Sequence, residues 1–157
     1  MKKLIYMAGS ILAIASAIPA VHATKSHWDL KVTHIIHSGA HPNNARFPNP
    51  THHFEIHVQG AALSSLSIAL PDGIKIRNGI EVTNQSDNRI DAQVSINNKK
   101  ATVVFSQPVP AETILSINMN GVRTPMYNGF TWLYPVYGTI PGMNQEIPLG
   151  TVRIQTY

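Results

Sequence analysis

Seven histidines, His27, His34, His37, His41, His52, His53 and His57, fall within 31 residues, and none occurs in the hundred residues that follow. Imidazole is the commonest side-chain ligand for zinc, copper and nickel, and it titrates near neutrality. Two kinds of chemistry follow from such crowding: an ion held by several imidazoles, or a surface that gains charge as pH falls through about 6.5. In an extended segment residues two apart share a side, so His53, Glu55 and His57 present two imidazoles and a carboxylate together. His37 or His41, from the preceding loop, would complete a site. The candidate metal ligands are therefore His37, His41, His53 and His57, with copper or zinc as the ion. Four residues of strand put the Cα atoms of His53 and His57 about 13 Å apart, too far for one ion, so His53 is better matched with a residue on a neighbouring strand. Nor does His53-Phe54-Glu55-Ile56-His57 carry the zinc-protease helix motif, which needs glutamate directly after the first histidine. The competing reading is a set of solvent-facing or hydrogen-bonded structural histidines.

Other chemistry leaves no mark. The chain has no cysteine, which excludes thiol catalysis, thiolate metal sites, disulfides and a lipoprotein anchor. There is no Gly-x-Ser-x-Gly elbow, P-loop or dinucleotide-binding glycine pattern. Eight acids, Asp29, Glu55, Asp72, Glu81, Asp87, Asp91, Glu112 and Glu146, are dispersed, and no spacing selects two of them as a glycosidase pair. These absences favour a non-catalytic protein.

The elements that must position the histidines follow an export leader. Lys2 and Lys3 precede an apolar run from Leu4 to Ala20, and Val21-His22-Ala23 offers small residues for cleavage. Residues 1–23 thus read as a signal peptide, and 24–157 as one β-rich domain with no membrane span after cleavage. Without Lys2 and Lys3, ten basic residues remain against eight acidic ones, a net charge of +2 and no footprint for nucleic acid.

Along the mature chain the apolar period is two rather than three to four. Trp28, Leu30, Val32 and Ile36 read as one face of a first strand, followed by a loop from His41 to Pro50. Phe54, Ile56 and Val58 read as the inner face of a second strand, with His53, Glu55 and His57 outside. Leu66 to Leu70 ends at the turn Pro71-Asp72-Gly73, with a short helical turn over Ala61 to Leu66 as an alternative. Residues 90–96 and 101–105 flank Asn97-Asn98-Lys99-Lys100 as a hairpin. Thr113 to Met119 alternates again. Trp132, Tyr134 and Val136 share a parity in the aromatic run from Tyr127 to Tyr137, and Gly150 to Tyr157 supplies a last strand. Eight or nine short strands predict an all-β fold, a β-sandwich of immunoglobulin-like or jelly-roll-like type.

Val103-Val104-Phe105-Ser106-Gln107-Pro108-Val109-Pro110, the strand Thr113 to Met119, Pro125, Gly129, Trp132 to Val136, Gly142, Leu149-Gly150-Thr151-Val152-Arg153 and the terminal Tyr157 together resemble an exported bacterial family, mainly cyanobacterial, called domain of unknown function 2808. The resemblance implies a signal peptide and one compact β domain, without an activity or site residues. An exported non-catalytic β domain is thus expected, acting on a protein or envelope partner in the periplasm or outside the cell. The alternative is an exported copper- or zinc-binding protein using the histidine-rich third.

Overall fold

The computed structural model of the chain describes residues 31–125 and 131–157. The expected leader and the residues Trp28, Leu30, Tyr127 and Phe130 lie outside the described residues. Within them are no helices and eleven strands: β1 (His34–His41), β2 (Thr51–Val58), β3 (Leu63–Ala69), β4 (Lys75–Ile76), β5 (Ile80–Asn84), β6 (Ala92–Ile96), β7 (Lys100–Val109), β8 (Thr113–Met119), β9 (Val122–Arg123), β10 (Thr131–Thr139) and β11 (Ile147–Gln155).

Alternation of side chains decides which surfaces meet. Phe54, Ile56 and Val58 on β2, Leu115, Ile117 and Met119 on β8, and Ile80 and Val82 on β5 give one sheet an apolar inner face. Leu66 and Ile68 on β3, Ala101, Val103 and Phe105 on β7, Trp132, Tyr134 and Val136 on β10, and Val152 and Ile154 on β11 do the same for the second. Both sets belong to one buried cluster, so the two sheets pack face to face as a β-sandwich. Their strand orders are β1-β2-β8-β5 and β11-β10-β3-β7-β6, and every pairing is antiparallel. β4 and β9 form a separate two-stranded ladder at one end.

The expected all-β sandwich is found, with local differences. The first described strand starts at His34, after residues 31–33 that are outside any strand, and Val32 is exposed. It continues through His41, so His37 and His41 stand on a strand and not in the loop assigned to them. A bulge between Ile35 and His37 changes the phase of the alternation there, which hides the strand from a period-two reading. Leu63 to Leu66, the alternative helical turn, is strand. The 97–100 hairpin forms, but none of its residues has positive φ; the Asn97 side-chain oxygen instead accepts from the Lys99 and Lys100 amides at 2.9 and 2.8 Å.

The two sides of the sandwich differ. Edge strands β1 and β11 approach each other: the Ser38 hydroxyl donates to the Arg153 carbonyl at 2.8 Å, and the Ile35 side chain lies over Gly150. On the other side, edge strands β5 and β6 stand apart.

Candidate functional site

The register of β1 against β2 sets the histidines. Gly39 lies opposite His53, His37 opposite Glu55, His41 opposite Thr51 and His34 opposite His57. Directly opposed residues share a face, so His34, His37, His41, His53 and His57 all stand on the outer face of the four-stranded sheet, with Glu55 among them. Gly39 leaves room for its neighbour: a Cβ there would come within 3.1 Å of the His53 ring. His34 and His57 touch edge to face, with ring centroids 5.7 Å apart. The Val32 carbonyl can only accept, so at 2.8 Å it accepts a hydrogen bond from His34 Nδ1. Glu112, a non-glycine residue at φ 65°, brings its carboxylate to 3.7 Å from His57 Nε2 and 3.5 Å from Lys31 Nζ. Among the described residues no three His, Asp or Glu side chains converge closely enough to hold an ion. His37, His41, His53 and His57 share a face, then, without forming a cluster.

His52 behaves differently. It continues the inward parity of Phe54, Ile56 and Val58, and it is fully buried. Its Nδ1 meets the Tyr134 hydroxyl of the opposite sheet at 2.7 Å, one polar bridge through an apolar core. Nε2 has no partner. Desolvation, with a smaller contribution from neighbouring His53, lowers the His52 pKa to about 4, so the ring is neutral near pH 7. Burial pushes the Tyr134 hydroxyl well above the usual phenol range. The parity that reveals His52 is present in the sequence; the crowding of its neighbours obscures it.

A third feature is the open side. The bonds from Asn97 N to Lys100 O and from Ser106 N to Asp91 O fix the phase of the β6–β7 ladder. Gln93 and Ser95 turn their backbone groups toward β7, and Ala92, Val94 and Ile96 turn theirs outward, with no strand beyond them among the described residues. The side chains of Ala92, Val94 and Ile96 lie on the core face, yet Val94 is 37% exposed because the sheet above stops short. Across the gap β5 is partly capped: Val82 O accepts from Ile90 N, and Asn84 N donates to Asn88 O. The result is a groove of about 710 Å³ lined by Ile80, Val82, Ile90, Ala92, Val94 and Ile96, with Glu81, Arg89 and Asp91 among its polar residues. It combines an apolar floor with a free row of backbone donors and acceptors, which suits an extended polypeptide.

Comparison with known proteins agrees with the fold. The N-terminal domain of a Streptococcus gordonii adhesin aligns at TM-score 0.51 and 12% identity over 82% of this chain and 33% of that one, a likeness that shows the β-sandwich. The collagen-binding domain of a Staphylococcus aureus adhesin aligns at TM-score 0.45 and 11% identity, over 80% of this chain and 97% of that domain. The collagen-binding subdomain ACE19 of an Enterococcus faecalis surface protein does so at 0.47 and 7%, covering 76% and 95%. Among curated proteins no sequence matches. The profile of the proteins of unknown function called DUF2808 matches residues 30–156, the greater part of the chain and every strand described above. The chain belongs to the DUF2808 family.

Proposed function

We propose that the protein is an exported, non-catalytic interaction domain that receives an extended segment of a protein partner along the free edge of β6. The outward backbone groups of Ala92, Val94 and Ile96, beside a groove that mixes apolar side chains with Glu81, Arg89 and Asp91, carry this reading. Strand addition takes its affinity from such main-chain groups and its selectivity from alternate side-chain pockets. An adhesin domain among the structures of like fold supports a surface role, and the leader-like sequence pattern of residues 1–23 supports export.

A photo-reactive residue at position 94 of the full chain, activated in its native cells, tests this. Cross-links should map to one short segment of one partner and disappear when Ala92 is changed to proline, which removes an outward amide while sparing the β6–β7 bonds. Cross-links unaffected by Ala92→Pro, or none above the level seen from exposed Leu133, would contradict strand addition.

A second reading, copper or zinc binding with His37, His41, His53 and His57 as ligands, is suggested by five imidazoles on one sheet face and requires their side chains to turn toward a common point, where they do not now converge. An untagged preparation titrated with Cu²⁺ and Zn²⁺ should bind below micromolar concentration and lose that binding in His53→Ala/His57→Ala. Absence of saturable binding removes this reading and leaves strand addition standing.

A further inference from the structure

At the end of the sandwich, a second groove of about 640 Å³ is lined by Arg46, Phe47, Arg77 and Arg123 together with Pro48 and Thr124, and among the described residues no aspartate or glutamate lines it. The arginines are remote in sequence. Arg46 stands in the loop between β1 and β2, Arg77 just after β4, and Arg123 on β9. Lys75 lies directly opposite Arg123 in the β4–β9 ladder. Like charges facing each other across a pair of strands destabilise it unless a counter-charge intervenes. Among the described residues none of these four cations has an ion-pair partner.

The walls are fixed from several directions. Ala45 N donates to Tyr157 O and Val122 N to Pro50 O, both at 2.8 Å, while Phe47 N bonds Asn44 O and Arg46 N bonds the Asn44 side-chain oxygen. Arg77 N donates to Gly121 O. Three guanidinium groups are thus carried on a braced frame, each a planar fork matched to an oxyanion. Phe47, 48% exposed, adds a bare ring beside them. The groove is too large for one small anion, and an aromatic face next to spaced cations suits a ring that carries its charge as substituents.

We propose that this groove binds an acidic polysaccharide, whose carboxylates or sulfates meet Arg46, Arg77 and Arg123 and whose sugar face lies on Phe47. Phe47 is the single aromatic ring among the described lining residues, so the groove lacks the series of rings on which successive bases of a nucleic acid stack. This site does not depend on the β6 edge.

Calorimetry on the full chain at physiological salt tests it with a uronic-acid hexamer, a sulfated hexamer, inorganic sulfate and a single-stranded DNA hexamer. At least one acidic hexasaccharide should bind with micromolar affinity and more tightly than the DNA. The double variant Arg77→Gln/Arg123→Gln should weaken it tenfold or more, and Phe47→Ala at least threefold. Lys99→Gln/Arg153→Gln, an equal change of charge elsewhere, should leave it within twofold. The proposal is overturned if neither hexasaccharide saturates, if DNA binds as well, if inorganic sulfate alone matches the hexasaccharides, or if the remote pair costs as much as the groove pair. Unchanged circular-dichroism melting of each variant separates lost binding from lost folding.

Discussion

His52 is the residue where stability and pH meet. Its imidazole has an ordinary pKa near 6.5 in the unfolded chain and about 4 in the folded one. Above pH 6.5 both forms are neutral and the folded state pays nothing for protonation. Between 6.5 and 4 only the unfolded chain takes up the proton, so stability falls with pH across that window and levels off below it. The loss amounts to about 3 kcal/mol at most for a shift of this size. Denaturant melts from pH 7.5 to 4 should show that decline, and in His52→Phe/Tyr134→Phe its His52 part should vanish. His52→Phe alone should cost about 1–3 kcal/mol by stranding the Tyr134 hydroxyl in the core. His53 and His57 were legible as outward from parity in the sequence; His34, His37 and His41 were not, because the bulge between Ile35 and His37 shifts the alternation of β1. His52 has the same parity signal, but its partner 82 residues away is fixed only by the packing of two sheets.

Among the elements, β2, β8 and β10 were readable because each alternates without interruption between Gly- or Pro-containing turns. β1 was readable only in part: the expected first strand overlaps it from His34 to Ile36, but its bulge and Gly39 break the pattern beyond, and the pairing that shows the rest to be strand comes from β2. β5 escaped notice because five residues among turn-forming Asn and Gly carry too few apolar positions to establish a period. The order β1-β2-β8-β5 joins strands distant in the chain, and no local pattern encodes which edge is left unpaired. The β6–β7 hairpin is held by Asn97, so Asn97→Ala should destabilise the protein by about 1 kcal/mol in urea melts, with no change in the cooperativity of unfolding. A cost near zero would mean that the ladder alone holds the turn. At the edge itself, Val94→Pro removes an outward amide and no β7 bond, so the folded protein should tolerate it with a modest change in midpoint. Gln93→Pro, one residue away, breaks an internal bond and should cost about 3 kcal/mol or more. Equal effects of the two substitutions would show that the phase assigned to β6 is wrong.

At the scale of the whole molecule, one core joins two sheets that are drawn together along β1 and β11 and left apart along β5 and β6. Without cysteine, stability rests on that core, and the open side is where main-chain groups remain for a partner. Natural edge strands are usually shielded by charge, proline or a covering loop; β6 has Gln93, Val94 and Ser95 at its centre, and its apolar positions face a groove. Residue-resolved amide hydrogen exchange along β6 of the free protein measures this directly. Gln93 and Ser95 should exchange slowly, protected by β7, and Ala92, Val94 and Ile96 should exchange at least a hundredfold faster. Uniform protection from Ala92 to Ile96 would contradict an open edge, because it would place a further partner on β6 already.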